Sequence, residues 1–223
     1  MVKKNSQILT DLEYYISGIN PKLLIHTGTH GDEYEVIGCV KNSIEKYFAK
    51  LPDFVFVPKV SPSAVKAKTR FNSSGIDINR VFYSNSDEIE VVENIRLLEG
   101  YNFDLMISFH EDPDFFDYYI YDESQNKIIT NKVITNNLNI KKLGVNLLTG
   151  MDDSGDPHLG HKFIDGYAEF IYPDNILEDG TATVWAYSNN VAKSILVPEI
   201  PGKINLSLKQ KVVDKIFEDI FLN

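Results

Sequence analysis

An alternation of short apolar segments with amphipathic segments constrains this chain more than any other feature of its sequence. The apolar run "KLLIH" precedes "DEYEVIGCVKNSIEKYFAKL", in which Val36, Val40 and Ile44 recur at the helical period, and the apolar run "FVFVPKV" follows. A strand that leads into a helix and then into another strand is typical of α/β proteins. The order predicts a mixed, largely parallel sheet with helices on both faces.

The same alternation continues along the chain. Ser86 can cap a helix whose apolar face carries Ile89, Val92 and Ile95, and "FDLMISFH" follows as a predicted strand. The segments "DYYIY" and "KSILVPEI" also have the composition of strands. The segment "SLKQKVVDKIFEDIFL" predicts a closing amphipathic helix that is capped by Ser207.

The two remaining regions carry weaker patterns. Ile8, Leu12 and Ile16 recur every four residues and predict a short N-terminal helix. Residues 122–180 are rich in Asn, Asp and Gly, which indicates partly helical structure and partly long loops near a site. A chain of 223 residues with 43% hydrophobic content can bury one sizeable core, so we expect a single domain over residues 1–223.

Charge and cysteine content exclude several classes of function. The formal net charge is -10 and the basic residues are scattered, so we expect no nucleic-acid partner, because phosphate binding requires clustered Lys and Arg. No continuous apolar segment resembles a secretion signal or a membrane span, so we expect a cytoplasmic protein without membrane contact. The single Cys39 lies in "VIGCVKNSI" and is interpreted as a small core residue rather than a nucleophile.

Three residues form a candidate metal site. His30 and Glu33 lie where a predicted strand leads into a helix, and His110 ends the predicted strand "LMISF". Two imidazoles and one carboxylate suit a catalytic Zn²⁺, which leaves its fourth position open for water. Glu35 is a poorer candidate because two further helical residues rotate its side chain away, and His26 is expected to pack within its strand.

A fourth candidate lies at the end of another predicted strand. Glu199 follows the apolar run of "SILVPEIPG". Ligands of open α/β sheets bind beyond the carboxyl ends of the strands, where His30 and His110 are also predicted. A carboxylate beside an activated water can take its proton and return it to a leaving group, although a strand-end Glu can also be a surface residue.

The polar segment "SPSAVKAKTRFNSSGIDINRVF", residues 61–82, carries Arg70, Asp77, Asn79 and Arg80 without helical periodicity. A solvated loop is the ordinary interpretation. Two arginines and an Asn could instead recognise a planar carboxylate, or stabilise a carbonyl oxygen that becomes negative in the transition state.

Together these motifs resemble the zinc carboxypeptidase family, near the branch of succinylglutamate desuccinylases and aspartoacylases. The resemblance covers about residues 22–202 through "HGDE", residues 61–82, His110 and "DGTATVWAYSNNVAKSILVPEIPG". It implies a zinc-carboxypeptidase-like fold and one Zn²⁺ per chain. By this resemblance, His30, Glu33 and His110 would bind zinc, and Arg70 would stabilise the oxyanion. Asn79 and Arg80 would hold the substrate carboxylate, and Glu199 would be the general base.

The resemblance implies a hydrolase that cleaves an amide bond next to a free carboxylate. The third ligand lies in "SFHEDP" rather than in the Asp-Leu-His of the deacylase branch, which favours a metallocarboxypeptidase acting on a peptide. An N-acyl amino acid deacylase and a non-catalytic carboxylate-binding protein are the alternatives. Tyr172 and Tyr187 are both candidates for a substrate-covering tyrosine, and neither is assigned. His158 and His161 in "PHLGH" are interpreted as solvated, with a second metal pair or a substrate contact as the alternatives.

Overall fold

The fold is described by a computed structural model that covers residues 2–5, 10–153, 155, 159–173 and 175–222. The strands are β1 (Val2–Asn5), β2 (Glu13–Ile16), β3 (Leu23–His26), β4 (Phe54–Val57), β5 (Leu105–Ser108), β6 (His110–Asp112), β7 (Tyr119–Asp122), β8 (Gly150–Met151), β9 (Lys162–Phe163), β10 (Tyr167–Glu169) and β11 (Ile195–Pro201). The α-helices are α1 (Tyr34–Tyr47), α2 (Pro62–Ala67), α3 (Ile89–Leu98), α4 (Lys127–Lys142), α5 (Ala182–Ser188) and α6 (Leu206–Ile216).

Nine of these strands form one mixed sheet in the order β1-β2-β4-β3-β5-β11-β7-β10, with β6 also paired to β11. The central pairs β4-β3, β3-β5 and β5-β11 are parallel, whereas β11-β7 and the pairs at the β1 edge are antiparallel. The carboxyl ends of β3, β5 and β11 therefore meet at one edge of the sheet. The predicted mixed, largely parallel sheet is confirmed.

Helices cover both faces of the sheet, because successive residues of each central strand point to opposite sides. In β3, Leu24 packs in a core with residues of α3 and α5. Its neighbours Leu23 and Ile25 pack in a second core with α1, α4 and α6. The central strands are buried on both faces, which explains why they read as continuous apolar runs in the sequence.

The predicted N-terminal helix is wrong. Residues 13–16 form β2, which pairs with β1 and β4, and Ile8 lies outside the described residues. A spacing of four residues fits a helix, but it is also a multiple of the two-residue period of a strand, so Leu12 and Ile16 were ambiguous.

Several predicted boundaries and caps also differ from the structure. Helix α3 begins after Glu88 instead of at a Ser86 cap, and it buries Val91 and Leu98, while Ile89 is exposed. Helix α6 is capped by Asn205, whose side chain accepts a hydrogen bond from the Leu208 backbone, rather than by Ser207. Side-chain oxygens at neighbouring positions can cap a helix equally well, so composition alone does not select one.

The segment 61–82 is more regular than a solvated loop. It contains α2 and a 3₁₀ turn at Ile78–Arg80, with Pro62 in the first turn of α2, where a missing N–H costs nothing. Within residues 122–180 the predicted helical part is α4, and the described remainder contains loops as predicted but also three short strands, β8, β9 and β10, that were not predicted.

Cys39 lies on the buried face of α1 and packs in the core, as predicted, and burial raises the pKa of its thiol to about 11. The closing helix continues beyond α6 into a π-helical turn at Phe217–Phe221. Among the described residues, none of the helices combines the length and apolar character needed to span a bilayer.

Gly31 provides a test of how tightly the turn after β3 packs. A Cβ at Gly31 would lie 1.9 Å from the Ala64 carbonyl oxygen of α2, so the backbone of the turn or of α2 must move. We expect Gly31→Ala to lower the free energy of unfolding by about 1–3 kcal/mol, the usual cost of overpacking. Urea denaturation of both proteins measures this.

Gly38 is the matched control, because it lies in α1 and a Cβ there meets no atom within 4 Å. Gly38→Ala should raise the free energy of unfolding by about 0.5–1 kcal/mol through the better helix propensity of alanine. Equal effects of the two substitutions would show that the turn does not pack rigidly against α2.

Candidate active site

His30 lies in the turn between β3 and α1, at the carboxyl edge of the sheet. The residue is only 3% exposed. Its Nδ1 lies 2.5 Å from Glu33 Oε1 and its Nε2 lies 3.2 Å from Asp77 Oδ1. Both ring nitrogens therefore have carboxylate partners, and the ring is held in one orientation.

Glu33 joins the two candidate imidazoles. It is the residue that immediately precedes α1. Its Oε2 lies 2.9 Å from Nδ1 of His110, the first residue of β6, and also accepts the Glu111 backbone N–H at 3.2 Å. The carboxylate therefore contacts one imidazole with each oxygen.

The close contacts between His30, Glu33 and their neighbours shift the pKa values of both residues. Burial opposes a charge on His30, but the Glu33 and Asp77 carboxylates outweigh it and raise the pKa of His30 to about 9. Burial also disfavours the charged form of Glu33, but His110 and His30 lower its pKa well below the usual range. The site thus favours a negative carboxylate with positive charge beside it.

These residues fit a bound divalent cation. One potential ligand atom from each of His30, Glu33 and His110 lies within 4.8 Å of the others, and all three residues are buried. Two imidazole nitrogens and a carboxylate oxygen are a donor set that zinc accepts in catalytic sites. Asp77, on the other nitrogen of His30, matches the outer carboxylate that commonly orients a metal-binding imidazole. Sequence reasoning assigned no role to Asp77, although its position in the segment with Arg70 and Asn79 was a usable signal.

Glu199 is placed beside this cluster by strand pairing. It lies in β11, where it is the register partner of His110 in β6 and of Tyr119 in β7. Burial, with Glu33 and Asp112 nearby, raises the pKa of Glu199 well above its ordinary value. The side chain lines the same cavity as His30 and His110, as predicted.

Arg70 reaches the cluster through Asp77. Its Nε and one terminal nitrogen both lie 2.9 Å from Asp77 Oδ2, while Asp77 Oδ1 faces His30. Two guanidinium N–H groups on one carboxylate fix the plane of the arginine. Arg70 also lines the cavity, so the structure brings it together with the predicted metal ligands.

Asn79 and Arg80 lie in the 3₁₀ turn that follows Asp77 and also line the cavity. The Asn79 side-chain oxygen accepts the Ala182 backbone N–H at 2.9 Å, and Arg80 donates to the Asn79 carbonyl at 2.9 Å. The start of α5 is therefore tied to this turn. All seven residues of the predicted site face one cavity of about 810 Å³.

Sequence reasoning missed the residues of β7 that line this cavity. Tyr119 and Tyr121 of β7 line it, and their hydroxyls donate to Asp112 at 2.6 Å and to Asp152 at 2.7 Å. The pattern of "DYYIY" predicted a strand, but it did not predict which side chains of that strand line the cavity. Glu123, immediately after β7, also lines the cavity.

Two of the tyrosines and histidines that the sequence left unassigned, Tyr172 and His161, lie at the cavity. Tyr172 lines the cavity and its ring centroid lies 5.2 Å from that of Tyr187, which is not among the lining residues. His161 also lines the cavity, where its ring packs against Tyr121 and Phe170, instead of being simply solvated. His158 lies outside the described residues.

A buried lysine, Lys209, forms ion pairs next to the candidate metal ligands. Lys209 of α6 lies 2.6 Å from Glu111 and 2.6 Å from Glu35, and its side chain is 2% exposed. Burial opposes its charge, but these two carboxylates raise the pKa of Lys209. Glu111 also accepts the Val36 backbone N–H and follows His110, so this network links α1, α6 and the β6 strand that carries a candidate ligand. The ion pair explains why Glu35 does not face the metal site.

A comparison with protein families bears on this arrangement. Residues 19–119, which include His30, Glu33, Arg70, Asn79 and His110, match the family model of the succinylglutamate desuccinylase/aspartoacylase catalytic domain. The predicted resemblance is confirmed. A comparison with curated protein sequences gave no match.

Solved structures share the fold. A candidate metallopeptidase from Shewanella baltica OS155 has a TM-score of 0.73 at 18% identity, over 96% of this chain and 83% of that one. A candidate carboxypeptidase A from Shewanella denitrificans OS-217 has a TM-score of 0.69 at 14% identity, over 99% of this chain and 63% of that one. A succinylglutamate desuccinylase from Silicibacter sp. TM1040 has a TM-score of 0.60 at 13% identity, over 95% of this chain and 60% of that one. The carboxypeptidase-like fold is thereby confirmed.

The buried ion pairs of Lys209 can be tested by substitution. Lys209→Met removes the ammonium and leaves the buried Glu111 without its cationic partner. We expect the free energy of unfolding to fall by about 3–5 kcal/mol, the usual cost of breaking a buried ion pair from one side. Urea denaturation at neutral pH measures the loss.

Lys46→Met is the matched control on the neighbouring helix α1. Lys46 pairs with Asp214 at 2.7 Å, but its side chain is 52% exposed, so solvent screens the pair. Its loss should cost at most about 1 kcal/mol. A Lys209 variant no less stable than the Lys46 variant would contradict a supporting role for the buried network.

Proposed function

We propose that this protein is a zinc-dependent hydrolase, a single catalytic domain that cleaves an amide bond next to a free carboxylate. The most direct support is that the buried donor set of His30, Glu33 and His110 shares one cavity with Glu199 and two arginines. The family match over residues 19–119 and the carboxypeptidase-like fold agree with hydrolysis.

The three donors would hold one Zn²⁺ per chain. Zinc, when bound, supplies a Lewis acid that polarises a carbonyl and eases deprotonation of a water. Glu199 would accept the proton of the water whose oxygen attacks the carbonyl carbon. When the carbon–nitrogen bond breaks, Glu199 would deliver that proton to the leaving nitrogen.

The two arginines would have different roles in the reaction. Arg70, fixed by Asp77, would donate to the carbonyl oxygen as it becomes negative. Arg80 and Asn79 would hold the free carboxylate of the substrate, and Asn79 keeps its side-chain amino group for this because its oxygen is already bonded to Ala182. These contacts would place the scissile bond beside Glu199.

We favour a metallocarboxypeptidase that acts on a peptide or peptide-like substrate. The "SFHEDP" sequence at His110 departs from the deacylase pattern, and the cavity of about 810 Å³ is lined by aromatic as well as polar side chains. The family match over residues 19–119 supports a second candidate, an N-acyl amino acid deacylase with the same metal and general base. A non-catalytic binder with this fold would have no need for Glu199 beside the metal ligands.

Metal binding and proton transfer should be separable by substitution. His110→Ala should lose most of the zinc, of which the unmodified protein should hold about one per chain, because two remaining ligands retain the ion poorly. Glu199→Gln should keep the zinc but lose activity by a factor on the order of a hundred or more. Elemental analysis and turnover of a peptide panel provide the two measurements.

His161→Ala is the control for metal content, because His161 lines the same cavity but is not part of the donor cluster. It should retain full zinc. Full zinc in His110→Ala with loss in His161→Ala would place the metal elsewhere, and near-normal turnover of Glu199→Gln would remove Glu199 from the mechanism.

Recognition of the free carboxylate depends on Arg80. Conversion of that substrate group to a neutral amide should weaken recognition by about 1.5–3 kcal/mol, the range for hydrogen bonds to charged groups. Arg80→Ala should lose a similar amount with the free acid and then distinguish acid from amide only slightly. The values of kcat/KM for both substrates with both proteins measure this.

Arg70→Ala serves as the comparison, because it should depress turnover of the acid and the amide alike if it stabilises the developing oxyanion. If the unmodified protein hydrolyses acid and amide equally well, the carboxylate-terminal specificity is wrong even when the zinc site is right.

A further inference from the structure

The 3₁₀ turn with the proposed carboxylate-binding residues is bonded to the segment 178–182. The Phe82 backbone N–H donates to the Gly180 carbonyl at 2.9 Å, and the two residues form an antiparallel bridge. The Ala182 backbone N–H donates to the Asn79 side-chain oxygen at 2.9 Å. The segment 178–182 therefore bonds to the chain both before and after the proposed carboxylate-binding arginine.

The first residue of this segment, Glu178, makes a further set of bonds. Its carboxylate accepts the Ser84 backbone N–H at 2.8 Å and the Asn189 side-chain amide at 2.8 Å. The Ser84 hydroxyl also donates to Glu178, and it accepts the indole N–H of Trp185 at 3.1 Å. Trp185 is packed in the core on this face of the sheet. Since a packed core yields little, the segment is held at a fixed place beside the turn.

Gly180 lies where the segment approaches the turn most closely. Its φ is +94°, and a Cβ there would lie 2.4 Å from the Arg80 carbonyl oxygen and 2.6 Å from the Arg80 carbonyl carbon. Glycine is favoured in this left-handed region because it has no Cβ, and the absence of a Cβ also permits the close approach of two backbones. A larger residue at position 180 would therefore have to displace the backbone of Arg80 itself.

Such a displacement would affect the part of the cavity that Asn79 and Arg80 line. The Arg80 guanidinium donates to the Asn79 carbonyl at 2.9 Å, so the direction of this side chain depends on the backbone of the turn. Bidentate pairing of a guanidinium with a carboxylate requires a fixed planar geometry, and a misplacement of about 1 Å is enough to lose much of its effect.

We propose that Gly180 is a positioning residue for carboxylate recognition. Its missing side chain lets the segment 178–182 hold Asn79 and Arg80 in the orientation that pairs with a free carboxylate. This inference rests on the proposed function, because it deepens the role given to Arg80. Gly180 acts only through the turn and does not contact the substrate.

The test compares Gly180→Ala with Gly75→Ala in the zinc-loaded protein. Gly75 also has a positive φ, +77°, but a Cβ there meets no atom within 4 Å, so the control has the backbone strain without the close approach. The best substrate of the peptide panel and its C-terminal amide are assayed with each protein. Gly180→Ala should lower kcat/KM for the free acid on the order of tenfold and change that for the amide little. Gly75→Ala should keep the acid-to-amide ratio.

Glu178→Ala is a second variant, which adds no side chain at position 180. It removes the carboxylate that bonds Ser84 and Asn189, so the segment is held less firmly and the acid-to-amide ratio should fall, by less than in Gly180→Ala. Circular dichroism establishes that each variant is folded. The inference is overturned if folded Gly180→Ala keeps the unmodified ratio, if Gly75→Ala loses it equally, or, where Gly180→Ala does not fold, if Glu178→Ala keeps it.

Calorimetry with a panel of N-acetyl amino acids and the matching amides separates recognition from catalysis. If nothing is hydrolysed but the acids bind more tightly than the amides and this preference falls in Gly180→Ala, the inference stands and the proposed reaction is wrong. If the unmodified protein treats acids and amides alike in both assays, the carboxylate role of Arg80 and the inference fall together, whereas the zinc content of the protein is unaffected. A preference for acids that survives in Gly180→Ala leaves the hydrolase proposal standing without Gly180.

Discussion

Parallel pairing of β3, β5 and β11 is the constraint on which the site depends. Leu23 pairs with Leu105 and Ile195 pairs with Met106, so the three strands end at one edge of the sheet. The chain then leaves each strand differently: a turn carries His30, the short β6 carries His110, and β11 itself continues to Glu199. Strand ends in open α/β sheets form such crevices because the helices pack on the faces and leave the edge free.

The candidate ligands are held by charge as well as by packing. Glu33 joins both imidazoles, Asp77 joins His30 to Arg70, and the backbone of Glu111 donates to Glu33. Behind this layer, Lys209 neutralises two further carboxylates. A buried group of acids is stable only when cations and donors compensate it, so these contacts keep the acidic site folded without filling the cavity.

The cavity is chemically asymmetric. Its lining residues Arg70 and Arg80 come from the segment after β4, whereas Tyr119 and Tyr121 come from β7 and Glu123 follows that strand. Because the cavity carries arginines as well as carboxylates, its local field can differ from what the net charge of -10 suggests.

The sequence by itself determined the α/β class and the central strands, because buried parallel strands are continuous apolar runs. It also predicted seven candidate site residues, which the structure brings to one cavity. It did not determine β2, since a spacing of four residues fits both a strand and a helix. Only the tertiary structure decided that Asp77 supports His30 and that Lys209 pairs with Glu111. These contacts join residues that are far apart in the chain, from 47 positions for His30 and Asp77 to 98 for Glu111 and Lys209. No local pattern encodes such pairs, because long-range packing brings them together.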